Sequence, residues 1–326
     1  MNDRTAPGAG TISRAAQRVS VGISLAAAFG WATYYLFVLW DTPGTAPSAI
    51  LFYPFAVGGG AYALWAVASG HGSAFARLWR TPEAYARTAL MLAMQLTILA
   101  ATYLTGAVDA SLLSLIGDVV ATPLLAAALF AGPRSALRRP PVVAGLLLSL
   151  AGGSLAIVGG RRVMGVHGVG WIAVLAAPIA VALYFLLAAR ASDSVDSSAV
   201  VGQTIVGAAI GSLVVAPLVP GGWSGVTHVA TVPLALLAAN GLISFFVAPA
   251  LYFLALRREG IVVPPMLMTA IPIFTLALSV GVLGERVPWL GLLGIPIAVV
   301  GAILTLRTIA PTAPSEDRWA PSRRIS

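Results

Sequence analysis

The chain has 326 residues, 59% of them hydrophobic and only 9% charged, with a mean hydropathy of +0.92, whereas soluble globular proteins carry about 25% charge. That balance excludes a water-soluble fold, and the lack of Cys excludes a disulfide framework, a thiol nucleophile and an iron–sulfur cluster. The net charge of +8 comes from Arg residues scattered among loops, with no Lys, so neither a basic nucleic-acid face nor Schiff-base chemistry is indicated.

A hydrocarbon core of roughly 30 Å needs about 20 residues as a helix. Apolar stretches of that kind are expected at 19–40, 46–69, 88–106, 110–131, 141–160, 168–189, 199–219, 231–256, 261–283 and 289–308. The first is longer than a signal-peptide core and lacks a clean cleavage site, so it counts as a span. Short alternating segments of the barrel type are absent. The reading is an all-α integral membrane protein of ten transmembrane helices. It divides into a cytoplasmic tail (1–18), a first five-helix repeat (19–160), a linker (161–167), a second five-helix repeat (168–308) and a second cytoplasmic tail (309–326). His71, His167 and His228 all fall in expected loops, so no metal site is expected.

With the N-terminus in the cytoplasm, 16 of the 19 Arg residues lie inside and only Arg161, Arg162 and Arg286 lie outside. This satisfies the positive-inside rule with both termini cytoplasmic, in the cell membrane. Because five is odd, two consecutive five-helix units must face opposite ways across the bilayer. A shift of 149 residues superposes Tyr103 on Tyr252, Pro123 on Pro272, Gly132 on Gly281, Gly145 on Gly294 and Gly152 on Gly301. A shift of 150 brings Leu25-Ala26-Ala27 and Tyr34 onto Leu175-Ala176-Ala177 and Tyr184. Inverted repeats of this kind mark alternating-access carriers.

The run Leu254-Ala255-Leu256-Arg257-Arg258, Pro272 within the ninth span, Leu283-Gly284-Glu285-Arg286-Val287-Pro288 at its end, and Gly294 to Gly301 in the tenth resemble the second repeat of EamA-type carriers of the drug/metabolite transporter superfamily. The resemblance implies ten helices in two inverted repeats that move small metabolites, usually outward. The first copy departs from the pattern at Ala131-Gly132-Pro133-Arg134 and in carrying Asp118.

Asp118 is the one acid or base within the expected helix interiors. A carboxylate at mid-membrane costs about 2.5–3.5 kcal/mol on the insertion scale, and ionisable groups at that depth mark function by default. Ser111, Ser114, Asp118 and Thr122 recur at three- and four-residue spacing and so share a helix face. Pro123 and Pro272 are read as helix kinks that free the carbonyls of Val119 and Met268. Gln95 and Asn240 are candidate pathway amides, and Gln203 is a weaker one, since amides also serve as interhelical glue. Trp31, Tyr34 and Tyr184 could wall an aromatic pocket, although packing is the blander explanation of membrane aromatics. Glu285 and Arg286 are read as a solvated turn.

The functional expectation is a secondary carrier exporting an amino acid, amine or amphipathic compound, with Asp118 exchanging a proton. The absence of Arg and Lys from the expected helix interiors counts against strongly anionic substrates. An intramembrane enzyme acting on lipid lacks the converging acid, base and nucleophile it would need, and a non-transporting membrane subunit lacks a large soluble domain. The expected partners are a small-molecule substrate and membrane lipids, with no nucleic acid and no cofactor; self-association into a homo-oligomer stays open. Reporter fusions after Arg18, within Ser192 to Ser198 and after Arg307 are expected to read cytoplasmic, and a fusion within Gly221 to His228 external. An external C-terminus would overturn the helix count.

Overall fold

Hydrocarbon offers a backbone no water to bond, so a spanning segment must satisfy its own N–H and C=O groups, and helix is the local solution. The computed structural model describes residues 14–40, 45–70, 72–129, 137–159, 169–192, 197–259 and 263–309, and forms only helices and turns among them. The 161–167 linker, Ala131 to Arg134, His71, His167 and most of both tails lie outside the described residues. The helices are α1 (Arg14–Leu39), α2 (Pro47–Ala68), short α3 (Gly72–Leu78), α4 (Pro82–Thr105), α5 (Ala107–Ile116), α6 (Thr122–Leu129), α7 (Pro140–Gly159), α8 (Val169–Ser192), α9 (Ser197–Val215) and short α10 (Gly222–Thr227). They continue with α11 (Thr231–Leu242), α12 (Ala248–Glu259), short α13 (Val263–Met268), α14 (Ile271–Gly281) and α15 (Trp289–Ile309).

Eight of the described helical stretches are long and apolar enough to cross a bilayer. Two shorter apolar helices, Pro140–Ala156 and Met266–Gly281, stand at the fifth and ninth expected positions. The chain is therefore a multi-pass helical membrane protein.

Three departures from regular helix geometry lie at or just ahead of prolines, while Pro54, Pro178 and Pro296 sit within unbroken helices. A proline ring lacks an N–H and collides with the carbonyl four residues back. In the fourth span, α5 and α6 are joined by a π-turn at Gly117–Ala121, where the Thr122 N–H donates to the Gly117 carbonyl five residues earlier. The eighth span repeats the arrangement: a π-turn at Ile243–Val247 joins α11 to α12, and the Ala248 N–H donates to the Ile243 carbonyl. In both cases proline is the second residue after the turn, Pro123 in one and Pro249 in the other. The wider turn makes room for the ring.

The structure thus corrects the simple kink expected at Pro123, which is absorbed by an inserted residue. It corrects Pro272 too. The ninth span is broken at Thr269–Ala270, whose N–H groups bond only three residues back, to Met266 at 3.3 Å and Leu267 at 3.1 Å. Pro272 then falls in the first turn of α14, where its missing N–H needs no partner.

Helix α4 packs on α8, α1 on α12, α2 on α9, and α7 on α15. The last contact is a glycine crossing. A Cβ on Gly145 would lie 2.7 Å from the Gly301 carbonyl oxygen, and a Cβ on Gly301 would lie 2.6 Å from that of Gly145. Gly152 and Gly294 meet in the same reciprocal way. Between them the Ser149 hydroxyl donates to the Ala298 carbonyl at 3.3 Å. Small residues let backbones approach this closely, and without a hydrophobic drive in lipid such packing is the main cohesive force.

The ends of the helices alternate as a bundle of antiparallel neighbours requires. At one end Arg139 donates from the start of α7 to the Thr308 carbonyl near the end of α15, at 3.1 Å. At another, the Ser48 N–H at the start of α2 donates to the Pro220 carbonyl just beyond α9, at 3.2 Å.

Gly152→Val and Gly301→Val each force a side chain against facing backbone, and overpacking of this kind costs about 1–3 kcal/mol. Both variants are expected to lose thermal stability in detergent, read by size-exclusion recovery after heating. Gly60→Ala, where nothing lies within 4 Å of the new methyl, is expected to behave as the parent.

Candidate functional site

A central cavity of about 310 Å³ lies between the helices. Trp31, Tyr34, Gln95, Ser114, Asp118, Thr122 and Tyr184, each singled out from the sequence, lie on its wall. The arrangement follows from local geometry. Ser114, Asp118 and Thr122 are one helical turn apart, and the π-turn sits between the first and last of them. The Thr122 hydroxyl donates to the Gly117 carbonyl at 2.9 Å, occupying an acceptor inside the widened turn. Gly117 is required here because a Cβ would lie 2.8 Å from the Pro178 carbonyl oxygen of α8.

Asp118 is partly buried, and it has neither a hydrogen bond nor an ion pair to any described residue. Its surroundings are hydroxyls and aromatic rings. The Tyr35 hydroxyl donates to Ser114 Oγ at 2.7 Å. Trp31 and Tyr252 pack with ring centroids 5.3 Å apart, and Tyr34 meets Phe245 edge-on at 5.7 Å. The cavity is thus an aromatic box with one carboxylate and a few neutral polar groups, suited to a small molecule with an apolar body.

Asn240 is a correction to the expected pathway. It lies away from the cavity wall, is fully buried, and neither amide atom has a hydrogen-bond partner among the described residues. Its helix α11 packs on α2, where Gly241 abuts the Pro54 carbonyl. Gln203 also lies off the wall, buried against α4.

The second correction concerns charge. Helix α4 begins at Pro82 rather than near residue 88, which puts Arg87 inside it and buries it to 2% exposure. Its Nη2 donates to Gln203 Oε1 at 3.0 Å. Asp118 is therefore not the lone ionisable group within the helices, and the argument against anionic substrates no longer holds. The signal was present: Arg87, Met91, Gln95 and Ile98 form one stripe at three- and four-residue spacing. Tyr35, Pro249, Tyr252, Phe253 and Thr269 also line the cavity.

A separate depression of about 590 Å³ lies at one end of the bundle, formed by the ends of α1, α4 and α7, the start of α5 and the turn 283–288. Glu285 and Arg286 belong to its rim, not to the central cavity.

Fold and cavity together define a multi-pass helical membrane protein with a cavity between its helices. Residues 168–307 match the EamA-like transporter family. The resemblance to EamA-type carriers of the drug/metabolite transporter superfamily therefore holds over the half that carries its motifs. No curated protein matches the chain. A solved structure described only as "Crystal structure of protein" superposes with a TM-score of 0.61 at 19% identity, covering 88% of this chain and 96% of its own, and this likeness shows a shared fold.

A neutral hydrogen bond contributes about 0.5–1.5 kcal/mol net. A double-mutant cycle on Tyr35→Phe and Ser114→Ala, read by thermal unfolding in detergent, is expected to return a coupling in that range. Purely additive effects would show that the pair does not hold the cavity wall together.

Proposed function

We propose that this protein is a secondary active transporter that exports a small metabolite by alternating access, with Asp118 exchanging a proton for substrate. The observation that carries the reading is the central cavity. Its wall draws on α1, α4, α5 and α6 from one half and on α8, α9, α12 and α14 from the other, and carries Asp118, which has no ion pair among the described residues. Binding near the midplane between two halves is what alternating access requires.

The architecture behind the proposal is ten transmembrane helices in two inverted five-helix repeats, 19–160 and 168–308, joined by the 161–167 linker. The glycine crossing supports it. Under the 149-residue shift the Gly145–Gly301 contact maps onto Gly294–Gly152, and Ser149 maps onto its own partner Ala298. A two-fold axis passing through that crossing would produce this pattern. Pairing of α4 with α8 and of α1 with α12 has the same reciprocal form. Both termini are placed in the cytoplasm of the cell by the Arg distribution, and outward movement is what the family resemblance implies.

The proton role rests on chemistry. A carboxyl surrounded by hydroxyls and rings, with no cationic partner, can lose and regain a proton without breaking an ion pair. Asp118→Asn keeps shape and hydrogen-bonding capacity but removes the titration. Metabolites released by cells expressing the parent and the Asn variant identify the substrate as the compound whose release falls. In proteoliposomes the Asn variant is expected to lose accumulation driven by a pH difference, while retaining substrate counterflow. Accumulation at the parental level under a pH difference alone would make Asp118 a packing residue.

A further inference from the structure

Charges and hydrogen-bond donors are unevenly spread over the wall of the central cavity. Asp118 is the one acid on it among the described residues, and no Arg, Lys or His among them lies on it. Arg87, the buried cation of α4, stands off the wall with its partner Gln203. Asp118 keeps part of its surface accessible and has neither an ion pair nor a hydrogen bond among the described residues.

The hydroxyls of the same wall have committed their hydrogens elsewhere. Tyr35 donates to Ser114 Oγ at 2.7 Å, Ser114 to the Ala110 carbonyl at 3.2 Å and Thr122 to the Gly117 carbonyl at 2.9 Å. Ser244 donates to the Gly30 carbonyl at 3.0 Å, and Thr269 to that of Met266 at 2.6 Å. Each oxygen keeps a lone pair with which to accept, while the donors that remain, such as the Gln95 amide, are neutral. The rings add to this asymmetry. Tyr252 packs on Trp31 with centroids 5.3 Å apart, and Tyr35 and Tyr252 both lie within electrostatic range of Asp118. A cation at the carboxylate therefore also borders aromatic rings, whose faces attract it. The complement of one negative charge, several acceptors and a set of rings is a group with one positive charge and several N–H donors, a primary ammonium.

We propose that the substrate is a protonated primary amine whose ammonium takes the place of the proton on Asp118, with its apolar body among the cavity rings. The assignment rests on the transporter reading for its purpose, but its binding chemistry stands apart from transport. The cavity of about 310 Å³ accommodates a body of one aromatic ring. A zwitterionic amino acid would bring in a carboxylate for which the wall holds no cation. When the ammonium binds, the Asp118 O–H breaks and its proton leaves to solvent; when the amine departs, a proton returns. One monovalent cation replaces another, so the occupied cavity has the same charge in both states.

The other titratable groups around Asp118 do not mask this competition. Tyr35 of α1, Tyr184 of α8 and Tyr252 of α12 carry phenols on the cavity wall, and phenols ordinarily titrate at about 10. The π-turn that holds Asp118 packs on α7, α8 and α15. No titratable residue lies in α7, and Arg307 of α15 is exposed at the helix end. Asp109 begins α5, more than two turns away.

Suitable probes are phenethylamine, its neutral isostere 2-phenylethanol, phenylalanine, and trimethylated phenethylammonium, which keeps the charge without an N–H. Binding to the purified full-length protein is measured by equilibrium dialysis. At about pH 8, where carboxylates are ordinarily ionised and amines protonated, the parent is expected to bind phenethylamine at least tenfold more tightly than 2-phenylethanol or phenylalanine, and at least threefold more tightly than the trimethylated cation. At about pH 5 protons compete for the carboxylate while the amine stays charged, so the affinity for phenethylamine is expected to fall at least fivefold and that for 2-phenylethanol to stay within twofold. Asp118→Asn is expected to lose both the preference for phenethylamine over 2-phenylethanol and its pH dependence. No binding of phenethylamine, equal affinity of the parent for it and 2-phenylethanol, equal or tighter binding of phenylalanine or the trimethylated cation, an affinity unchanged by pH, or a preference retained by Asp118→Asn would each overturn the assignment. If Asp118→Asn does not fold, the probe ratios and pH dependence of the parent decide by themselves. If the parent shows no amine preference yet accumulates another metabolite in proteoliposomes, the assignment fails and the carrier stands. Asp118-dependent amine binding with no movement of any metabolite across the liposome membrane has the opposite meaning.

Discussion

In hydrocarbon every backbone polar group must find its partner within the protein, and the prolines of this chain put that requirement under the most pressure. Three of them are accommodated by the same principle in two ways. Ahead of Pro123 and Pro249 the helix takes in one extra residue, and the bonding shifts to a carbonyl five residues back. At Pro272 the helix stops and restarts, so that the ring falls where no N–H was needed. Irregular backbone at membrane depth is tolerated only where protein or a cavity covers it. Thr122, Pro249 and Thr269, one from each irregular segment, all lie on the cavity wall. The cavity and the irregularities are thus two aspects of one constraint: a helix that departs from regular bonding must do so away from lipid.

The glycines answer a complementary demand. Each irregular turn is wider than a regular helix, so its neighbour must come close at a point without a side chain. Gly117 meets the Pro178 carbonyl in this way, and Gly58 and Gly241 do the same between α2 and the eighth span. The α7–α15 crossing uses four glycines, and between the two glycine pairs the Ser149 hydroxyl donates to the Ala298 carbonyl. That central part of the contact is built from backbone proximity, and the charged Arg139 joins the two helices only at their ends.

Hydropathy and helical periodicity made much of this legible before any coordinates. The helical stretches and the shared face of Ser114, Asp118 and Thr122 follow from apolar runs and three- and four-residue spacing, whereas the meeting of Trp31, Tyr34, Gln95 and Tyr184, on three different helices, depends on how those helices pack. The misses have physical causes too. Arg87 looked like loop because Thr81, Pro82, Glu83 and Arg87 make the start of α4 polar; Pro82 in its first turn is in fact a helix-starting signal. Asn240 has the composition of a pathway residue, and only the facing helix decides its side. The π-turns have no periodic signature at all, since one inserted residue shifts the register by a single position. The proline two residues downstream is the trace they leave.

Arg87 and Asp118 are two costly side chains in this interior, and their arrangement differs. A buried charge is offset most effectively by an opposite charge with good hydrogen bonds, and this chain has both signs available. The structure keeps them apart instead. Asp118 is surrounded by hydroxyls and rings, and Arg87 is held by one amide. For packing alone, apolar residues of similar volume would serve as well or better, because a buried pair often does no better than they do. Asp118 borders the central cavity, whereas Arg87 and its partner Gln203 are packed away from the cavity wall. Departures from the rules of stable packing are expected to gather where function needs them, and Asp118, at the π-turn on the wall of the central cavity, is one such departure.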